Sequence, residues 1–270
     1  MPNVVANGIT LHYEVAGSGP PLVLIPFLGA DCSCYGFQVP DYAKHFTCYS
    51  VDLRGAGGSD KPDAPYTTEL FADDIAAFMD AVGLASAHVA GMSLGSATGA
   101  WLAAKYPAKV RTLSLHSTWT IADRYMRDVV EGWCVMAQAL GSVTETVIRG
   151  ILAWSFTPKL YAERPEFIDV VAALLRGGPQ QPVAAFLRQA GAAHPHDGRA
   201  LLARIVTPTL VTFGAEDRLT STRFAPAFDA IRGRELAIFD GCAHAPISED
   251  PATFNARTLA FLLRHAGAGA

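Results

Sequence analysis

The stretch Gly91-Met92-Ser93-Leu94-Gly95 decides how this chain is read. His88-Val89-Ala90 before it is a short apolar run that reads as a buried strand, and residues 96–106 after it read as a helix ended by Pro107. A serine between two glycines at a strand-to-helix junction marks a very tight turn, an elbow in the chain. The serine takes strained backbone angles there and holds its hydroxyl out at the top of a sheet. Glycines two before and two after it leave room for strand and helix to approach closely. A helix starting at the serine adds free N–H groups and a dipole that favour negative charge. The five-residue pattern is unspecific alone, so its meaning depends on partners for the serine downstream.

Toward the N-terminus, Asn7-Gly8 signals a type I′ hairpin, followed by Ile9, Leu11, Tyr13 and Val15 alternating with polar residues. Two antiparallel strands therefore open the fold. Residues 22–25 are a continuous apolar strand of the kind buried on both faces of a parallel sheet, and 26–34 form the loop after it. Residues 46–53 are the next strand, running into Asp52-Leu53-Arg54-Gly55-Ala56-Gly57-Gly58-Ser59. Thr67 or Thr68 caps a helix that runs through Val82 to Gly83, and 110–115 is the strand after the elbow helix. Strands alternating with helices imply right-handed crossovers and a mostly parallel sheet. Ligands of such sheets bind at the carboxyl ends of the strands, where Ser93 and the 26–34 loop both lie.

The whole chain sets bounds. Its 270 residues, 50% hydrophobic, suit one large α/β domain or one with an inserted lid. A net charge of −4 without a basic cluster excludes a nucleic-acid partner. No apolar run approaches the roughly 20 residues that span a bilayer, so no membrane association is expected. Met1-Pro2-Asn3 carries no signal-peptide pattern. Five cysteines form no C-x-x-C pair and read as reduced thiols of a cytoplasmic protein. Cys32 and Cys34 have no companions at metal-ligand spacing, so neither metal nor cofactor is expected.

The elbow, the strand-end loop and the D-x-R-G-x-G-x-S segment at 52–59 together resemble the α/β-hydrolase family. The resemblance implies an α/β-hydrolase fold: a mostly parallel central sheet flanked by helices, with a helical lid. Residues 1–117 and 206–270 would form the core. Residues 118–205, helix-like and without a convincing strand, would form the lid. The resemblance also implies an acid and then a histidine after the nucleophile. Strand 209–213 ends in Gly214-Ala215-Glu216-Asp217-Arg218, and strand 236–239 ends in Asp240-Gly241-Cys242-Ala243-His244. Ser93, Asp217 and His244 thus follow in the required order, with Glu216 the rival acid. A serine hydroxyl is a poor nucleophile, so His244 must take its proton, and Asp217 must fix and stabilise the imidazole.

A tetrahedral intermediate needs N–H donors. One is the Leu94 amide. By register on Gly29, the second is Leu28, with Phe27 the alternative. Here the chain reads Pro26-Phe27-Leu28-Gly29 where many of the family show His-Gly-x-Gly. With Gln38-Val39, Lys44-His45-Phe46 and Trp154-Ser155-Phe156-Thr157, this loop is similar to the 3-oxoadipate enol-lactonase branch. A dicarboxylate-type lactone would call for a cation, and Arg124, Arg127, Arg149 and Arg188 are the lid candidates. Phe27, Trp119, Trp154 and Phe156 are candidate pocket residues, His116 reads as structural, and His194-Pro195-His196-Asp197 reads as a polar loop ending the lid.

The resulting expectation is a cofactor-free serine hydrolase cleaving a small-molecule carboxylic ester or lactone through an acyl-enzyme on Ser93. A carbon–carbon bond hydrolase of a diketone-like substrate would use the same residues. A hydrolase-fold binding protein with vestigial turnover is the alternative from another class. Oligomeric state is left open by the sequence.

Overall fold

In the computed structural model, which describes residues 2–267, eight strands form one sheet in the order β1-β2-β4-β3-β5-β6-β7-β8. β1 (Asn3–Ala6) and β2 (Ile9–Ala16) are the expected hairpin. Asn7 and Gly8 hold φ of 47° and 75° between them, the positive pair a type I′ turn needs. β2 also pairs antiparallel with β4 (Thr47–Val51), while β3 (Pro21–Ile25) pairs parallel with both β4 and β5 (Ala87–Met92). β6 (Val110–His116), β7 (Thr209–Gly214) and β8 (Glu235–Phe239) extend the parallel part. β5 and β7 are buried at every residue, as continuous apolar runs in a doubly covered sheet should be.

A short α1 (Val39–Tyr42) precedes β4. α2 (Thr68–Ala81) begins at Thr67, whose hydroxyl accepts from the Leu70 amide at 3.0 Å. It turns Phe71, Ile75, Phe78 and Met79 into the core. α3 (Leu94–Lys105) is mostly small residues and is buried along most of its length, which lets it lie close against β5 and β6.

The chain between β6 and β7 is helical. α4 (Arg124–Leu140) starts at Arg124, because the Asp123 carboxylate accepts from the Met126 amide at 2.8 Å and caps it there. α5 (Val143–Thr146) and α6 (Leu152–Ser155) are joined by a π-helical segment, Val147–Ile151. α7 (Pro158–Glu163), α8 (Pro165–Gly177), α9 (Val183–Ala193) and α10 (Arg199–Leu202) complete the group. The Ile121–Asp197 bridge is its single β pairing among the described residues. After β8 come α11 (Pro246–Glu249) and α12 (Pro251–His265). No helix among the described residues is long and apolar enough to cross a membrane.

The 194–197 segment is a loop, as expected, between α9 and α10. His196 is buried, its Nδ1 lies 2.9 Å from the Thr68 hydroxyl, and its ring meets Trp119 edge-on at 5.5 Å.

Candidate active site

Ser93 stands between β5 and α3 with φ 51° and ψ −116°. A left-handed φ at a serine is a strained conformation held by its surroundings. Its amide donates to the His116 carbonyl at 2.9 Å, and its carbonyl accepts from Ser96 Oγ at 2.6 Å. The flanking glycines are required by contact. A Cβ on Gly91 would lie 2.1 Å from the Gly95 carbonyl oxygen, and one on Gly95 would lie 2.2 Å from that of Ile25. The second contact seats the β3 exit loop directly on the elbow helix. In that loop Ala30 donates to the Phe27 carbonyl at 3.2 Å and Gly29 has φ 78°, a turn that demands glycine. The amides of Leu28 and Leu94 donate to no other group among the described residues, whereas the Phe27 amide is turned to the Cys34 sulfur.

The acid and the histidine meet as the sequence order suggests. His244 Nδ1 lies 2.9 Å from Asp217 Oδ2. The Thr220 hydroxyl lies 2.8 Å from the same oxygen, 2.9 Å from the Ser117 carbonyl and 3.1 Å from His244 Nδ1. Asp217 Oδ1 accepts from the Leu219 and Thr220 amides at 2.8 and 3.0 Å. Burial alone would raise the Asp217 pKa, yet the His244 charge and hydrogen bond, with those of Thr220, hold it below the usual carboxylate range. Glu216, the rival acid, points to solvent. A Cβ on Gly214 would fall 1.9 Å from the Ala243 carbonyl oxygen, so the end of β7 packs backbone to backbone on the histidine loop. Ser93, Asp217 and His244 are all buried, at 8%, 3% and 7% exposure, leaving Ser93 the small accessible part a nucleophile needs. Among the described residues no hydrogen bond joins the Ser93 hydroxyl to His244. Such contacts commonly tighten only when substrate docks.

The candidate pocket residues come from different sides. Phe27 is half-buried on the β3 loop, beside Gly29, which faces the Phe186 ring and Val147. Trp119 is buried on the loop leaving β6. Trp154 and Phe156 flank Ser155, whose carbonyl accepts from the Ala245 amide at 2.9 Å. Trp154 meets Tyr125 and Trp133 edge-on at 6.1 and 6.5 Å, and Phe156 meets Phe167 at 5.7 Å.

The arginine candidates for a substrate carboxylate are engaged elsewhere. Arg124 pairs with Asp128, Arg149 with Glu145, Arg188 with Asp63, and Arg127 donates to the Ala122 carbonyl. Arg218, beside Asp217, lies 5.4 Å over the Trp154 ring and was not singled out. His116 is structural, as expected: it is buried, with Nδ1 2.9 Å from the Thr212 hydroxyl, and burial pushes its pKa down to about 3.

Metal-ligating groups cluster at Asp31, Cys32 and Asp52, and at His12, Glu14 and Cys32. The carboxylates of the first cluster are already engaged. Asp52 accepts from the Cys32 and Gly58 amides at 2.6 and 2.7 Å, and Asp31 accepts from the Ser33 amide at 2.9 Å. Burial and the nearby carboxylates push the Cys32 thiol far up, so it stays protonated. All five cysteines are free thiols, and burial raises Cys242 to about 12.

Sequence reasoning missed Thr220, Ser117, Gln181 and Gln189. The last two tie α9 and its approach to the 52–59 segment: Gln189 donates to the Arg54 carbonyl at 2.8 Å and Gln181 to that of Gly55 at 2.7 Å. Nothing local marks these residues, since each bonds a segment remote in sequence.

A family profile described as the alpha/beta hydrolase fold matches residues 20–140. A protein of Azorhizobium caulinodans, named provisionally as a carbamate hydrolase, is 29% identical over 97% of this chain and 98% of its own length. A 3-oxoadipate enol-lactonase of Acinetobacter baylyi is 26% identical over 81% of this chain and 80% of its own. The crystal structure of an enol-lactonase from Burkholderia xenovorans superposes with a TM-score of 0.87 at 26% identity, covering 97% of this chain and 100% of that one. Taken with the strand order and the strand–turn–helix around Ser93, these likenesses identify the fold of the chain as the α/β-hydrolase fold.

Proposed function

We propose that the chain is a serine hydrolase that cleaves a small carboxylic ester or lactone through an acyl-enzyme on Ser93. The observation that carries this reading is the 2.9 Å His244–Asp217 hydrogen bond, made at the strand ends that also carry the strained Ser93. The Asp217 carboxylate accepts from Nδ1, which leaves Nε2 unprotonated and able to take the Ser93 proton. Ser93 Oγ attacks the carbonyl carbon. The oxyanion receives the Leu94 and Leu28 amides and the N-terminal end of α3. His244 then gives its proton to the leaving alcohol, or to the ring oxygen of a lactone. In the second half, water loses a proton to His244 and attacks the acyl carbon, and the acid leaves as the Ser93 hydroxyl is restored. Residues 118–205 serve as a lid over this site and residues 1–117 and 206–270 as the core. The names of the relatives, a carbamate hydrolase and enol-lactonases, support carbonyl chemistry of this kind.

The test compares hydrolysis of a short-chain aryl ester by wild type and Ser93→Ala, followed by a panel of lactones, linear esters and carbamates. The expected loss in the variant is about 10⁴-fold or more. Equal rates in the two proteins would sink the assignment.

A further inference from the structure

The loop that carries His244 is bonded to the lid helices through a side chain outside the proposed catalytic set. Glu249, at the end of α11, is half-buried and reaches both ways. Its Oε2 accepts from the Ala243 amide at 2.7 Å, one residue before His244. Its Oε1 accepts from both the amide and the hydroxyl of Thr157, at 2.8 and 2.5 Å. On the other side of His244, the Ala245 amide donates to the Ser155 carbonyl at 2.9 Å. Residues 155–157 form the turn between α6 and α7, and Thr157 also caps α7 by accepting from the Leu160 amide at 3.1 Å. The peptide groups on both sides of the histidine are therefore fixed with reference to one turn of the lid.

A carboxylate with three short N–H and O–H donors is a stiff junction, because each bond is charge-assisted. If the 155–157 turn lifts, Glu249 loses two donors and Ala245 loses its acceptor together. The histidine loop is then held only from the core side, by the Ser117 hydroxyl on the His244 carbonyl at 2.7 Å, the Asp217 carboxylate on His244 Nδ1 at 2.9 Å and the Glu216 amide on the Cys242 carbonyl at 2.9 Å. Proton transfer from Ser93 depends on the imidazole position to a fraction of an ångström. We propose that Glu249 is a positioning residue that makes His244 competent only when the 155–157 turn of the lid is seated. This rests on the serine-hydrolase reading above.

The test uses the full-length chain and two readouts, the rate at which a fluorophosphonate labels Ser93 and steady-state kinetics on the short aryl ester. Glu249→Gln places an NH₂ group against donors, so one side of the junction must break. Thr157→Val removes the hydroxyl, and Thr157→Ser keeps it. Expected are labelling rates and kcat lowered about 10- to 100-fold in Glu249→Gln and in Thr157→Val, with KM little changed. The double variant should be no slower than the slower single, and Thr157→Ser should recover most of the rate.

Wild-type labelling and kcat in both single variants would overturn the proposal. So would losses that multiply in the double variant, or a lowered melting temperature in Thr157→Val with an unaltered labelling rate per folded molecule. Should Glu249→Gln not fold, the contrast between Thr157→Val and Thr157→Ser decides alone. A wild type that neither labels nor hydrolyses the ester would instead sink the serine-hydrolase reading itself. That result is distinct from a failure confined to the variants.

Discussion

The Ser117 hydroxyl donates to the carbonyl oxygen of His244 at 2.7 Å. Ser117 does so from a left-handed backbone, φ 46°, just beyond the end of β6. Its amide donates to the Thr212 carbonyl and its carbonyl accepts from Thr220, both at 2.9 Å. One small residue thus spans the strand that leads to Asp217 and the loop that carries His244.

Ser117→Ala keeps the strained backbone and strands a buried carbonyl. The expected cost is about 1–3 kcal/mol of stability, with a fall in kcat for ester hydrolysis larger than any change in KM. Urea unfolding and steady-state kinetics check it. Ser117→Gly relieves the strain but loses the same bond, so it should be less destabilised yet equally slow.

Two glycine-to-alanine changes should act in opposite directions. At Gly95 the new methyl meets the Ile25 carbonyl oxygen at 2.2 Å, which is backbone and cannot yield. We expect a loss of about 2–4 kcal/mol and of activity with it. Gly132 lies in the exposed interior of α4, and a Cβ there meets nothing within 4 Å. Gly132→Ala should stabilise by about 0.5–1 kcal/mol, read as a raised melting temperature at wild-type activity.

Arg54 and Asp74 form a buried pair, with Nε and Nη2 each 2.5 Å from a carboxylate oxygen, and Asn7 donates to Asp74 at 2.7 Å. Arg54→Met leaves the carboxylate buried with one partner. It should cost about 3–5 kcal/mol. Adding Asp74→Leu should recover much of that loss, which a double-mutant cycle in denaturant measures. A double variant as unstable as the single would contradict this.

Three buried histidines set an acid limit. Burial lowers His88 and His196 to about 4 and His116 to about 3, and the Arg111 and His265 charges also act on His88. Their unfolded values lie near 6.5, so the unfolded chain binds more protons in between. Their contribution is intact above about pH 6.5 and is lost as pH falls toward 4, at up to about 1.4 kcal/mol per pH unit for each histidine. His88→Gln should flatten the pH dependence of stability across that window. An unaltered slope would count against a neutral buried His88.

Much of this site was legible because its requirements are local. The glycines around Ser93, the Asn7-Gly8 turn and the strand-end positions of Asp217 and His244 each leave a mark within a few residues. Glu216 and Asp217 are neighbours in sequence, and only the loop geometry turns one toward His244 and the other to solvent. Thr220, Ser117 and Glu249 could not be read, since their value lies in which distant atom they reach. The burial of His196 could not be read for the same reason. A histidine in a polar-looking tetrapeptide is buried here because Thr68 and Trp119 arrive from elsewhere.

The bare-backbone contacts at Gly95 and Gly214 also define what can be exchanged between this enzyme and its relatives. Where two main chains touch with no side chain between them, neither can be redrawn without the other. The β3 exit loop and the elbow are thus one transplantable unit, and the β7 end with the histidine loop is a second. A graft that respects those two units should carry its chemistry with it. One that divides either of them moves residues without moving a site.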